Sequence, residues 1–516
     1  MKRSQHCIMI LALLFNCAFA SAGGVSTDHG LDDLIERVGI DNTPTGAGIE
    51  MGQVEVAGTS GEYVPDVDHE EFIGKTFLFQ SGSSSVSNHA TQVGRRMYGI
   101  GNTGIAPGID LIYVYSATGW ATNNYLRVGT GSNPSTPPGD LAIFNNSWIG
   151  TFGSDSIDTQ ALRRADWSID AHDVVMLNGV ANSEEHAPLM SFGFNCISVG
   201  KANGEHIFDP VPSGFDLPGR QIPLIVASQN TTSNATGVVS AATALLIETA
   251  ETHPNTAGNF FAGLSETTKA VLLVGAMHFE GWTNNPETSG VNRGRTSQPI
   301  DSVVGVGTVN IDRSHRVMTG GQHESSTSST GLTTAPTAAW ETSILSTNES
   351  RYIKFEVPSL ADEVSVVLTW HQKVNSGFGS YILVDYDLEL LKFQNGKLVP
   401  LTGKKGVGVF GSGNVVSESS VDNVEHLYIQ DLSPGEYVLE FHRVDSVGGA
   451  SVFSVGWLFP EVDAVLGDIT GDGIISVSDI LALIGSWGPC TGDCPADLNG
   501  DGAVGVSDLL LLLSYW

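Results

Sequence analysis

Between residues 222 and 250 an apolar run passes through a short polar turn into a long stretch at helical spacing, and few folds can satisfy that pattern. Leu224-Ile225-Val226-Ala227 reads as a short buried strand. Residues 228–232 are polar and make a turn. From Ser233 onward Val238, Val239, Ala242, Leu245 and Leu246 recur with the period of an α-helix. Ala235, Gly237, Ser240, Ala241 and Ala244 keep that helix thin, so other backbone can approach it closely. A hydroxyl at Ser233 is therefore held rigidly where a strand becomes a buried helix. Free N–H groups of the first helical turn lie beside it and can stabilise a developing oxyanion. The rival reading, that Ser233 only caps the helix, fails if a base, an orienting acid and a further oxyanion donor lie elsewhere in the chain.

Upstream segments supply such groups. Residues 49–56 form a weakly alternating strand that carries Glu55 at its carboxyl end. A polar loop follows to Asn88, and His89-Ala90-Thr91-Gln92-Val93-Gly94 opens a helix. Residues 109–114 and 141–144 read as strands, the latter leading into Asn145-Asn146-Ser147-Trp148. Residues 157–170 read as a helix, and residues 174–177 as a strand whose following loop holds Asn182. Strands alternating with helices predict a parallel α/β sheet with its functional residues at the strands' carboxyl ends.

These segments resemble the landmarks of subtilisin-like serine proteases, in the family's order and over about residues 45–320. The family's His-Gly-Thr-His-Val is similar to His89-Ala90-Thr91-Gln92-Val93, and its Gly-Val-Ala-Pro to Gly104-Ile105-Ala106-Pro107. Its Asn-x-Ser-x-Gly resembles Asn146-Ser147-Trp148-Ile149-Gly150, and its Ala-Gly-Asn resembles Val180-Ala181-Asn182. The nucleophile motif Gly-Thr-Ser-x-Ala-x-Pro is similar to the run from Thr231 to Gly237, with Thr231 and Gly237 in place of the flanking Gly and Pro. The resemblance implies Ser233 as nucleophile, His89 as general base, Asn182 as oxyanion donor and Glu55 as the acid, where the family has Asp. It implies a protein or peptide substrate. A catalytically decayed scaffold on the same fold is the alternative, as is a component of an extracellular polysaccharide-degrading complex. No paired-carboxylate motif of a glycosidase is present.

Composition sets the surroundings. With 24 Lys and Arg against 56 Asp and Glu, the net charge is −32, which argues against a nucleic-acid or anionic-membrane partner. Lys2 and Arg3 precede an apolar core over residues 8–19 and small-residue cleavage sites, so residues 1–22 read as a signal peptide and the protein as secreted. That core is too short to span a bilayer, and no other apolar stretch is long enough. Two of the five cysteines lie in this leader; Cys490 and Cys494 can form a small disulfide, and Cys196 reads as a buried inert thiol.

The C-terminal part changes character. The peptidase-like segment spans residues 40–320, and Ser/Thr-rich residues 321–345 read as a linker. Alternating runs over residues 346–460, separated by turns such as Asn395-Gly396, predict an antiparallel β-sandwich. It resembles the small jelly-roll domains that follow secreted peptidases. Residues 466–516 contain a repeat: Asp468-Ile469-Thr470-Gly471-Asp472-Gly473 recurs as Asp497-Leu498-Asn499-Gly500-Asp501-Gly502. Each copy has Asp at loop positions 1, 5 and 12, the last being Asp479 and Asp508, and Gly at position 6. Oxygen donors at such spacing wrap a calcium ion, and Gly permits the sharp turn. The expected ligands are Asp468, Thr470, Asp472, Ile474, Ser476 and Asp479, then Asn499 and Ala503 with Asp497, Asp501 and Asp508. The pair resembles a dockerin, which implies a cohesin-type partner. Ile480, Leu483 and Ile484 are expected to pack on Leu509, Leu510 and Leu513.

Overall fold

The computed structural model describes residues 27–183, 189–459, 467, 469–470, 475–490 and 494–515. The leader segment 1–22 and the expected ligands Asp468, Asp472 and Ile474 lie outside the described residues.

Seven parallel strands form the N-terminal sheet: β1 (Glu50–Glu55), β2 (Thr76–Phe79), β3 (Leu111–Ser116), β4 (Leu141–Asn146), β5 (Val175–Gly179), β6 (Ile197–Lys201) and β7 (Ile225–Ala227). Their order is β2-β3-β1-β4-β5-β6-β7, with β1 flanked by β3 and β4. β2 falls inside the segment that sequence reads as polar loop. It is an edge strand paired only with β3, and most of its apolar side chains stay exposed, so no alternation marks it.

The helix Thr232–Thr252 follows β7 and is buried on nearly every side, with 16 of its 21 residues inside. That explains a sequence without a polar face, because there is no solvent side to mark. Its threonines are satisfied internally: the hydroxyls of Thr236, Thr243 and Thr249 donate to the carbonyls of Thr232, Val239 and Leu245. Burying Leu245 and Leu246 contributes about 1.5–3 kcal/mol each. The helix stops at His253, which is extended (φ −70°, ψ 139°) because Pro254 follows and disfavours the helical region.

From residue 338 to residue 458 the strands are almost wholly antiparallel. One sheet runs Ser350–Val357, Gly435–Arg443, Tyr386–Gln394, Val416–Ser417, with Lys397–Pro400 paired to Tyr386–Gln394. The other runs Ser412–Gly413, Val424–Leu432, Ala361–Trp370, Ser451–Leu458, Ala338–Leu345. Side chains from both sheets share one buried cluster. Asn395 (φ 52°) and Gly396 (φ 74°) make the tight turn between Tyr386–Gln394 and Lys397–Pro400, where two left-handed residues match the strand twist. Arg295–Thr296, from the N-terminal part, adds a parallel strand beside Val416–Ser417.

Strand Ala338–Leu345 begins inside the stretch that composition reads as linker. Its Trp340 is fully buried, and its indole N–H donates to the Met318 carbonyl. Thr342 bonds both Thr267 and Ser454, so these hydroxyls serve packing rather than solvent.

Helices Val477–Gly485 and Val506–Tyr515 close the chain, with the Cys490–Cys494 disulfide between them. Leu483 and Leu512 are the buried contact, with Ile480 and Leu509 half-covered. Ile484, Leu510 and Leu513 are exposed, so the second helix presents a different face from the expected one.

Candidate active site

The carboxyl end of the parallel sheet collects the sequence-selected residues. Glu55 is the last residue of β1 and is completely buried. Its Oε2 lies 2.7 Å from Nδ1 of His89, one residue into the helix Asn88–Met97. The hydrogen bond that the ring donates to Glu55 raises the imidazole pKa above its usual value; partial burial opposes this, and the nearby negative charge adds to it.

Gln53 lies two residues earlier on the same face of β1, and sequence reasoning did not select it. Its amide nitrogen donates to Glu55 Oε1 at 2.9 Å and to the Ala90 carbonyl at 2.8 Å. The Tyr98 hydroxyl donates to Gln53 Oε1 at 2.6 Å, which fixes the orientation of the carboxamide. Both Glu55 oxygens are therefore engaged, one by His89 and one by Gln53. The period-two alternation of β1 is the signal that would have found Gln53.

Ser233 follows β7 as the second residue of the helix Thr232–Thr252. Thr231 is the cap, its side chain accepting from the Asn234 N–H, so Ser233 is free of that duty. The Ser233 hydroxyl donates to the Ser147 carbonyl at 3.2 Å, while the Ser147 hydroxyl donates to the Ser233 carbonyl at 2.9 Å. Asn145 in turn donates to Ser240 at 2.9 Å. The end of β4 thus clamps the helix that carries the serine.

Asn182 lies after β5, and its Oδ1 accepts from the Thr232 N–H at 2.8 Å. This commits the oxygen end of the carboxamide to the helix and leaves the NH2 end as a donor. His89, Asn182 and Ser233 line a single cleft of roughly 300 Å³, walled by Val56, Trp148, Ile149, Val180 and Ala181. A serine hydroxyl, a carboxylate-bonded imidazole and an amide donor around one apolar cleft are the kinds of group that acyl transfer employs.

The other expectations fare differently. Cys196 is free and buried, and burial pushes its thiol up to about 12, which leaves it inert. In the tail, Asp479 accepts from the backbone N–H and hydroxyl groups of both Thr470 and Ser476. Burial would raise its pKa, but these donors outweigh that and hold it low. Asp508 likewise accepts from the N–H groups of Leu498, Asn499 and Gly505. Asp497 accepts from Gly500, Asp501 and Gly502, Asn499 from Asp501, and Asp501 from the N–H of Ala503. The donor set is all oxygen, as a hard cation requires. Among the described residues, Asp497, Asp501 and Asp508 do not gather within metal-ligating reach of one another.

No family model matches this chain, and no curated protein matches it. A solved structure of the prenylagaramide maturation protease PagA is similar at 18% identity over 55% of this chain and 98% of that one, with a TM-score of 0.33. A likeness that low carries no argument about function. No helix among the described residues is long and apolar enough to cross a membrane.

Proposed function

We propose that this chain is a secreted, subtilisin-like serine endopeptidase working through Ser233, His89 and Glu55. The observation that carries this reading is the 2.7 Å contact between His89 Nδ1 and the buried Glu55, with His89 and Ser233 facing one cleft. Ser233 turns about χ1 from the Ser147 carbonyl toward His89 and attacks a peptide carbonyl. Its proton passes to Nε2 of His89. The imidazolium so formed is stabilised by Glu55, which also fixes the tautomer with its proton on Nδ1. The oxyanion takes hydrogen bonds from the Asn182 amide and the Ser233 N–H at the positive end of a helix. His89 then returns the proton to the leaving amine, and water cleaves the acyl-enzyme by the same steps in reverse. The apolar wall of Trp148, Ile149 and Val180 excludes water from the reacting atoms.

The antiparallel sheets are read as a jelly-roll sandwich and the tail as a calcium-binding, dockerin-like pair whose partner is a cohesin-type module. Calcium would draw the carboxylates of each loop inward. A decayed scaffold is the second reading, favoured by the hydrogen bond that holds the Ser233 hydroxyl on Ser147. A fluorophosphonate probe separates the two. The parent protein should be labelled and should digest casein, and Ser233→Ala should do neither while melting at nearly the same temperature. An unlabelled, inactive parent would leave only the scaffold.

A further inference from the structure

A second cluster of chemically capable side chains lies away from the cleft, where the N-terminal part meets the C-terminal sheets. Asp170 is in the last turn of the helix Asp155–His172, and Glu266 is in the first turn of the helix Ser265–Val274. His371 immediately follows the strand Ala361–Trp370. One donor atom from each lies within 4.8 Å of the others. The His371 side chain is 1% exposed, that of Glu266 8% and that of Asp170 23%.

His371 Nδ1 is 3.2 Å from Glu266 Oε1 and 3.6 Å from Asp170 Oδ1, contacts of ion-pair length without well-formed hydrogen-bond geometry, and among the described residues Nε2 has no hydrogen-bond partner. Glu266 Oε1 is within hydrogen-bond distance without making the bond, and Asp170 Oδ1 lies just beyond that distance. Groups that bond one another face one another; groups that bind a common ion surround a point. Zinc bonds to imidazole and carboxylate are about 2.0–2.2 Å long, which gives a tetrahedral edge of about 3.4 Å. The two separations, 3.2 and 3.6 Å, bracket that edge. A buried imidazole nitrogen that faces two carboxylates without a well-formed hydrogen bond to either is costly to keep, and an ion at the point they surround would satisfy all three groups. Nor is its position loose: the Gln372 N–H donates to Asn195 Oδ1 at 2.7 Å, and Asn195 Nδ2 donates back to the Gln372 carbonyl at 2.9 Å.

We propose that Asp170, Glu266 and His371 bind a divalent transition cation of the zinc class, which ties the parallel-sheet region to the C-terminal antiparallel strands. An imidazole with two carboxylates suits such an ion better than magnesium or calcium, which favour all-oxygen shells. Lys373 is the competitor: its ammonium contacts Asp170 Oδ1, but its side chain is 41% exposed and free to swing into solvent.

The test is zinc alone, titrated into the chelator-stripped full chain with calcium in excess to satisfy the tail loops. The parent should take up one tight zinc per chain and unfold at a higher temperature with it. His371→Ala should weaken binding at least about 100-fold, since even supporting groups behind metal ligands cost 10–100-fold. If that variant does not fold, Asp170→Asn, at a partly exposed position and of the same shape, should weaken binding at least about 10-fold. Lys373→Met should tighten it. A parent that takes up no stoichiometric zinc, ligand variants that bind as well as the parent, or an unchanged affinity in Lys373→Met would overturn the assignment.

Discussion

Shortening the acid by one methylene, Glu55→Asp, probes the site most sharply. In the subtilisin-like pattern that position holds Asp, so motif reasoning expects the change to restore or improve activity. The geometry predicts the opposite. β1 is pinned on both sides, Glu55 opposite Ser116 and Val54 opposite Asn146, so the backbone cannot advance to compensate. The carboxylate retreats by about 1.5 Å, one carbon–carbon bond. The 2.7 Å contact to His89 opens to about 4 Å, beyond hydrogen-bonding reach, and the 2.9 Å bond from Gln53 is lost with it. The negative charge stays nearby, so the loss of roughly 10⁴ that follows a neutral replacement does not apply in full. A misplacement of about 1 Å costs on the order of 10², or about 2.7 kcal/mol of transition-state stabilisation. The loss should fall on kcat and leave KM nearly unchanged, because Glu55 sits behind His89 and is not part of the cleft wall. Stability should drop by a few kcal/mol, about 1 for the buried methylene and about 1–3 for each hydrogen bond that the buried carboxylate loses. Steady-state kinetics on a fluorogenic peptide, with thermal unfolding as a control, give the answer. Activity equal to or above the parent's would refute the claim that this pocket is built for the longer acid.

In Glu55→Gln the support for the imidazolium disappears, so the His89 pKa falls from its raised value and the acid limb of the pH–rate profile moves to lower pH; an unmoved limb would exclude His89 as the titrating base. The stabilising contribution of the His89–Glu55 pair, by the same linkage, is present below about pH 6.5 and fades as pH rises through the folded His89 value, so the variant should differ least from the parent in alkaline solution. In the tail, chelating calcium should expose residues 466–516 to proteolysis while the two larger regions survive, because three carboxylates per loop then repel without a cation; equal resistance with and without chelator would remove calcium from the account.

Local pattern and chain topology were legible to different degrees. The strand–turn–helix around Ser233 could be read directly, because each residue's neighbours there are its sequence neighbours and small side chains betray a buried helix. The strands at residues 111, 141 and 175 are visible as apolar runs for the same reason, and that at residue 50 as a weak alternation. β2 was not, since an edge strand with exposed Phe79 and Leu78 has no buried face to impose a pattern. The Ser/Thr content before Ala338 pointed to a flexible connection, yet Thr342 spends its hydroxyl on two buried partners, which composition alone cannot distinguish. Asp170, Glu266 and His371 stand on three elements far apart in sequence, and only the packing of helix against sheet brings them together.

Gln53 shows what the motif leaves out at the end of β1. A glutamate has one more rotatable bond than an aspartate, so a carboxylate at the end of β1 would sample several positions unless something held it. His89 holds one oxygen, and its ring is more than half exposed, which makes it a weak anchor alone. Gln53 holds the other from a fully buried position, and its own orientation is set by Tyr98 on one atom and by Ala90 on the other. The order of support therefore runs from the buried tyrosine outward to the exposed imidazole. Each member is fixed by the one deeper in the protein. A longer acid demands this arrangement, and a shorter one placed in the same strand would reach neither partner.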